Sequence, residues 1–214
     1  RGSMIGLERA AQRAYRTSLD VVAVAGAQAA IQMVPMLKPV GRAAVLTPTY
    51  NEHAAALRSG GWDVHEVTAF EALKGYDLAV VVNPNNPDGN VYTPDALLAL
   101  AAQVGLLIVD ESFADPAPDM SLASTAQDLP ENVAILRSFG KFYGLAGVRL
   151  GFVLGTPTVA DKIRDMVGPW PVSGMAIEVC KRAYEDDAWA DRTRAQLQRD
   201  ADRLDLLAQD AGWT

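Results

Sequence analysis

The chain has 214 residues, of which half are apolar and 21% are charged, a composition typical of a globular α/β protein. Its 19 basic and 26 acidic residues give a net charge of −7, which argues against a general binder of nucleic-acid backbones. The single cysteine, Cys180, excludes an internal disulfide, and with His53 and His65 it makes no metal-ligand spacing. No apolar run approaches the roughly 18 residues of a membrane span. We therefore expect a cytoplasmic protein that has no metal, nucleic-acid or membrane partner.

Short β-branched runs alternate with stretches of helical periodicity along most of the chain. The predicted strands are residues 21–24, 43–46, 63–67, 78–82, 106–109, 133–136 and 149–154. Between them, the spacing of apolar residues predicts helices over residues 28–37, 51–59 and 94–104. Two of the strands are continuously apolar, as expected when both faces of a parallel sheet are covered. The alternation predicts an α/β fold with three layers and a mostly parallel central sheet.

The last part of the chain is predicted to be helical, over residues 175–186 and 189–210. In the second of these helices, Leu197, Ala201, Leu204 and Ala208 form one apolar stripe. The expected role of such a stripe is to pack one face of a surface helix on the sheet.

Polar residues follow several predicted strands, where open α/β sheets place their ligands. Gly26, Ala27 and Gln28 lead from a strand into a helix, whose N-terminus can receive an anion, although an ordinary turn would look the same. The sequence Asn-Pro-Asn-Asn-Pro-Asp-Gly at residues 83–89 follows the most apolar strand. Turn residues are common there, but this density of amide side chains is unusual. Asp110 ends another buried strand and predicts a ligand-facing acid, with a structural cap as the alternative.

Lys141 lies among aromatic residues and glycines, and Ser138 and Arg149 are nearby in the sequence. The pair Gly140-Lys141 is not a nucleotide P-loop, because that motif needs a glycine five residues earlier and Ser or Thr after the lysine. Apolar surroundings disfavour an ammonium group, which is what Schiff-base chemistry requires of a lysine.

These segments, in this order, resemble the fold-type-I pyridoxal phosphate enzymes of the class I and II aminotransferase group. The resemblance implies that Lys141 binds pyridoxal 5′-phosphate covalently, that Asp110 keeps the pyridine nitrogen protonated, and that Tyr50 stacks on the ring. It also implies that Asn86 donates to the phenolic oxygen. Gly26, Ala27, Gln28, Ser138 and Arg149 would hold the phosphate. The same resemblance implies a homodimer.

Within this group, residues 24–32, 110–115, 136–152 and 168–174 resemble the threonine-phosphate decarboxylases of cobalamin synthesis, which are similar to histidinol-phosphate aminotransferases. The expected reaction is decarboxylation of L-threonine O-3-phosphate, a small phosphorylated amino acid, and transamination is the alternative. The residues that hold the cofactor are shared by both reactions and do not decide between them. A ligand-sensing regulator that borrowed the fold is a third reading, which would need an attached basic DNA-binding domain.

Two positions depart from the family pattern. Phe113 stands where a tyrosine is frequent, which removes a second donor to the phenolic oxygen, and Asp88 replaces a common threonine, with little expected effect on the cofactor. The expected domains are a cofactor-binding large domain at residues 5–187 and, at 188–214, a long helix that leads toward a small C-terminal domain outside this chain.

Overall fold

The computed structural model describes residues 2–125 and 128–213, and within them seven strands form one sheet in the order β1-β7-β6-β5-β4-β2-β3. The strands are β1 Asp20–Val24, β2 Arg42–Leu46, β3 Asp63–Val67, β4 Leu78–Val82, β5 Leu107–Asp110, β6 Val133–Ser138 and β7 Gly151–Gly155. Each coincides with a strand predicted from the sequence, with ends that differ by at most two residues.

Strands β2 to β6 are parallel to one another, whereas β7 is antiparallel to both β1 and β6. Strand β1 therefore runs in the same direction as β6. As a result, the carboxyl ends of β1, β4, β5 and β6 meet the amino end of β7 at one edge of the sheet. At that edge, Gly151 is paired with Val24 on one side and with Ser138 on the other. The prediction of a mostly parallel α/β sheet is confirmed.

In the described residues the helices are α1 Gly2–Ala14, α2 Ala27–Met33, α3 Glu52–Ser59, α4 Pro94–Ala101, α5 Leu122–Thr125, α6 Phe139–Phe142, α7 Pro157–Val167, α8 Gly174–Tyr184 and α9 Asp187–Asp210. The predicted helix over residues 28–37 is divided, because Pro35 lies in a 3-10 turn that follows α2. Thr93 caps α4 by accepting a hydrogen bond from the backbone N–H of Ala96 at 3.2 Å. Of the described helices, none has the length and apolar character that crossing a membrane requires.

Helices cover both faces of the sheet, which gives the three layers that the sequence predicts. One core includes Leu7 of α1, Leu97 of α4 and Ile177 of α8. The other includes Ile31 of α2 and Ile163 of α7. Residues of the central strands alternate between the two cores, as the period of a strand requires.

Helix α9 does not pack as its apolar stripe predicts. Leu197 is 41% exposed and Leu204 is 66% exposed, so the expectation that this stripe packs on the sheet is wrong. The buried contacts of α9 are near its start, where Ala190 is buried and Trp189 stacks on Tyr143 with ring centroids 5.2 Å apart. Helical periodicity shows which residues share a face, but not which element covers that face.

Candidate active site

The predicted site residues lie together around one cavity of about 190 Å³ at the carboxyl edge of the central strands. All nine of them line it: Gly26, Ala27, Gln28, Tyr50, Asn86, Asp110, Ser138, Lys141 and Arg149. Ser112 and Phe113 contribute to the same wall. Because the nine residues come from five separate parts of the chain, the fold, and not the sequence spacing, brings them together.

One wall of the cavity is a close approach between Arg149 and the backbone around Gly26. A Cβ atom at Gly26 would lie 2.8 Å from Nη2 of Arg149, and the φ of 85° at this position also favours glycine. Similarly, a Cβ atom at Gly151 would lie 2.5 Å from the backbone nitrogen of Ala27. The two glycines therefore allow the guanidinium group to reach the start of α2.

The charge of Arg149 is available to a ligand. Its Nη1 donates to the carbonyl of Ala146 at 3.2 Å, and no carboxylate in the described parts of the chain forms an ion pair with it. Arg149 has a left-handed backbone with φ 55°, so the predicted strand that begins at residue 149 starts two residues later, at Gly151. An unpaired guanidinium beside backbone N–H groups and Ser138 suits an anion such as a phosphate.

Asp110 ends β5 and is almost completely buried. Its Oδ2 lies 2.8 Å from Nε2 of His53, and its Oδ1 accepts from the backbone N–H of Ser112 at 2.9 Å and from the Ser112 hydroxyl at 2.5 Å. Burial alone would raise the pKa of Asp110, but the bonds from His53 and Ser112 outweigh it and hold this pKa below its ordinary value. The carboxylate is therefore ionised at neutral pH. It accepts hydrogen bonds from Ser112 just after the end of β5, and it lines the cavity.

Tyr50 also lines the cavity and is 43% exposed. Its hydroxyl donates to Oε1 of Gln28 at 3.3 Å, and Nε2 of Gln28 donates to Glu52 at 2.7 Å. The Tyr50 ring also lies edge-on to His53, with centroids 6.4 Å apart. These contacts hold an aromatic ring beside the cavity while one face stays accessible.

Lys141 is carried by the short helix α6. Its Nζ lies 5.3 Å from the centroid of the Phe113 ring, and none of the carboxylates in the described ranges forms an ion pair with it. The helix is held from behind by aromatic stacking of Phe139 on Tyr143, whose centroids are 4.5 Å apart. Lys141 therefore presents a side-chain nitrogen without an ion-pair partner in the described residues to the cavity, from a fixed backbone.

Two groups around the cavity were not predicted from the sequence. His53 is the partner of Asp110, and Arg137 lies on the opposite face of the sheet, within ion-pair distance of Glu111 and Asp115. The only sequence signal for Arg137 was a charge within a strand that is otherwise apolar. The signal for His53 was its position three residues after Tyr50, in the first turn of α3.

The fold and the cavity together define a class of α/β proteins in which a lysine, a buried acid and an anion cradle lie at one edge of the sheet; the anion cradle consists here of Arg149, Ser138 and the backbone at Gly26 and Ala27. The family model described as aminotransferase class I and II matches residues 7–214. The chain therefore belongs to the class I and II aminotransferase family.

The chain is also similar to individual relatives. It is 41% identical over 215 residues to a threonine-phosphate decarboxylase of Pseudomonas aeruginosa, covering 97% of this chain and 64% of the relative. A threonine-phosphate decarboxylase of Sinorhizobium is 44% identical over 183 residues, covering 82% and 55%. A histidinol-phosphate aminotransferase of Mycobacterium bovis is 33% identical over 208 residues, covering 92% and 54%. The chain thus spans between 54% and 64% of the length of these three relatives.

Solved structures share the fold. Histidinol-phosphate aminotransferase from Sinorhizobium meliloti, in complex with pyridoxal-5′-phosphate, has a TM-score of 0.81 at 21% identity, covering 98% of this chain and 62% of that one. L-threonine-O-3-phosphate decarboxylase from Porphyromonas gingivalis has a TM-score of 0.70 at 21% identity, covering 87% and 62%. At these identities the structural likeness establishes the fold alone.

Proposed function

We propose that this chain forms the cofactor-binding part of an enzyme that uses pyridoxal 5′-phosphate to act on a small phosphorylated amino acid. The observation that carries the proposal is the arrangement of Lys141, Asp110 and Arg149 around one cavity. An unpaired amine, a buried ionised acid and an unpaired guanidinium are the three groups that this cofactor needs for its carbonyl, ring nitrogen and phosphate. The glycine cradle at Gly26 and Gly151 is consistent with a phosphate close to the backbone.

In this proposal each residue around the cavity has a separate role. Arg149, Ser138 and the backbone at Ala27 bind the phosphate, and Tyr50 restrains the ring from one face. The ionised Asp110, supported by His53, keeps a proton on the ring nitrogen. Bound in this way, pyridoxal 5′-phosphate supplies an electron sink for the bonds at the substrate Cα.

Lys141 has two tasks in this proposal. Its Nζ would hold the cofactor covalently, and the same nitrogen would hold or move a proton close to the substrate Cα. Asn86 donates to the phenolic oxygen, and the Phe113 ring lies beside Lys141, with 5.3 Å between the ring centroid and Nζ.

We further propose decarboxylation of L-threonine O-3-phosphate to (R)-1-aminopropan-2-yl phosphate, a step of cobalamin biosynthesis. The decarboxylase relatives support this choice because they are 41% and 44% identical, against 33% for the aminotransferase relative. A histidinol-phosphate type of transamination is the second candidate, since that relative covers 92% of the chain. We also propose a cytoplasmic homodimer, with residues 5–187 as the large domain and 188–214 leading toward a smaller one.

The test is to incubate the purified protein with L-threonine O-3-phosphate and pyridoxal 5′-phosphate. Carbon dioxide is measured in one assay, and keto-acid-dependent amine transfer in another. Release of carbon dioxide without a keto acid supports decarboxylation, and a Lys141→Ala variant should release none. Rapid consumption of a keto acid without carbon dioxide would favour transamination.

A further inference from the structure

We propose that Asp88 and Asn85 are positioning residues that fix the distance between Asn86 and Tyr50, which both line the cavity. Asp88 orients the Asn85 amide, and this amide joins the β4–α4 loop to the β2–α3 turn. The inference rests on the proposed function, because Asn86 and Tyr50 are the residues assigned there to the cofactor ring.

The Asn85 side chain makes contacts in two loops at once. Its Oδ1 accepts from the hydroxyl of Thr49 at 2.6 Å, and its Nδ2 donates to the carbonyl of Pro48 at 2.9 Å and to Oδ1 of Asp88 at 2.7 Å. Both groups of the amide are therefore engaged. Thr49 directly precedes Tyr50, and Asn85 directly precedes Asn86, so one amide links the two backbone segments that carry these residues.

Asp88 closes the tip of its loop with both carboxylate oxygens. Its Oδ1 accepts from the backbone N–H of Asn90 at 3.0 Å in addition to Asn85, and its Oδ2 accepts from Nδ2 of Asn90 at 2.8 Å. The backbone N–H of Asn90 and the amide of Asn85 hold the pKa of Asp88 below its ordinary value. The Asp88 carboxylate is thus ionised at neutral pH and only accepts hydrogen bonds, which suits the three N–H donors that surround it.

No neutral side chain of similar size satisfies the same donors. An asparagine offers one acceptor oxygen and turns an NH₂ group toward a donor, and a threonine has a single oxygen. The geometry therefore assigns Asp88 a larger role than the sequence comparison with the family threonine suggested. With the carboxylate removed, the Asn85 amide loses one of its three hydrogen bonds, the one that joins it to the tip of the loop.

The base of the loop is held independently of Asp88. Asn83 is buried, and its amide donates to the carbonyl of Tyr92 at 3.0 Å and accepts from the Tyr92 N–H at 2.8 Å. Loss of Asp88 should consequently loosen the tip that carries Asn86 while β4 and α4 remain in place. We expect cofactor binding to suffer much more than the stability of the fold.

The experiment compares Asp88→Asn with Asp77→Asn. Asp77 is also exposed and accepts from a backbone N–H, that of Arg42 at 2.9 Å, but it lies at the amino ends of the strands, away from the cavity. Three quantities are measured for each: the dissociation constant for pyridoxal 5′-phosphate, the circular dichroism of the bound cofactor at saturation, and the thermal unfolding temperature without cofactor. The dichroism reports the surroundings of the ring and is insensitive to a purely structural loss.

We expect Asp88→Asn to weaken cofactor binding roughly tenfold or more, as for the loss of hydrogen bonds to a charged group. Its dichroism should change, and both variants should unfold at similar temperatures. Binding and dichroism equal to wild type would overturn the inference and leave the proposed function intact. An unfolding temperature far below that of Asp77→Asn would also overturn it, in favour of a structural role. A wild-type protein that does not bind pyridoxal 5′-phosphate would refute the proposed function itself and the inference with it.

Discussion

Arg137 and Glu111 form an ion pair directly behind the cavity, with Nη1 of Arg137 3.1 Å from Oε2 of Glu111. Each is adjacent in sequence to a cavity residue, Ser138 on β6 and Asp110 on β5, and side chains of consecutive strand residues point to opposite faces. Nη2 of Arg137 lies 2.9 Å from Asp115, at the end of the loop that carries Phe113. One buried guanidinium thus fastens two strand ends and this loop from the side opposite the cavity.

We expect Arg137→Met to lower the free energy of unfolding by about 3–5 kcal/mol, because it leaves two buried carboxylates without a counter-charge. Urea unfolding measures the change. The control is Arg58→Met, which breaks an exposed pair with Glu66 and should cost only about 0–1 kcal/mol. Equal losses in both variants would contradict the role given to burial.

Lys141 is expected to be the covalent anchor of the cofactor. Borohydride reduction of the protein with pyridoxal 5′-phosphate should fix the cofactor on one peptide. Lys38 and Lys162 donate to backbone carbonyls elsewhere, and Lys74 pairs with Glu71. A label on the peptide of any of these, or of Lys181, would show that the anchor is wrongly assigned.

Arg149→Ala should weaken binding of pyridoxal 5′-phosphate much more than binding of pyridoxal. The expected difference is about 1.5–3 kcal/mol, the range for a hydrogen bond to a charged group. Titration of both ligands into both proteins measures it. If the two ligands lose affinity equally, Arg149 supports the fold and not the phosphate.

Phe113→Tyr is expected to lower the pKa of the Lys141 nitrogen once it carries the cofactor. A phenol at this position would donate to the phenolic oxygen of the cofactor and spread its negative charge, so that this oxygen holds the neighbouring proton less firmly. The Phe113 ring lines the cavity, and its centroid lies 5.3 Å from Nζ of Lys141. A hydroxyl group on this ring is therefore within reach of a cofactor held by Lys141.

The expected shift is about one unit, since one donor contributes about 1.5–3 kcal/mol and one pKa unit is about 1.4 kcal/mol. Spectroscopic titration of wild type and variant measures it. An unchanged pKa, or one that moves upward, would remove Phe113 from contact with the phenolic oxygen.

Cys180 should resist alkylation in the native protein. Burial raises the pKa of its thiol to about 12, so almost none of the reactive thiolate is present at pH 8. Iodoacetamide should label it only after unfolding, and because it is the one cysteine of the chain, mass spectrometry gives a clear result. Rapid labelling of the folded protein would show that α8 opens readily.

The strands of the sheet could be predicted from the sequence because most of them are short apolar runs bounded by turn residues. Helix α7 was missed although its signal was present: Thr156-Pro157 repeats the residue pair Thr93-Pro94 that begins α4, with proline in the first turn, although the Thr156 side chain makes no capping hydrogen bond. The surroundings of α9 could not be predicted from the sequence, because the periodicity of apolar residues does not show which element covers an apolar stripe.

For the cavity, the residues that follow strand ends were predictable because parallel strands end at one edge. Their supporting partners were not. His53 is 57 residues from Asp110 and Arg137 is 26 residues from Glu111, and such pairs depend on which strands become neighbours. The contacts of Asn85 with Thr49 and Pro48 have the same origin, because they join two loops that are distant in the sequence.

The position of β1 in the sheet determines when the anion cradle can form during synthesis. In the described sheet β1 pairs only with β7, so Gly26 emerges from the ribosome before Arg149 and meets it only after β7 has been made. Until then β1 has no partner for its backbone groups, and it is exposed to pairing with other chains. A nascent chain that stalls before β7 would therefore contain most of the sheet and still lack an intact anion cradle.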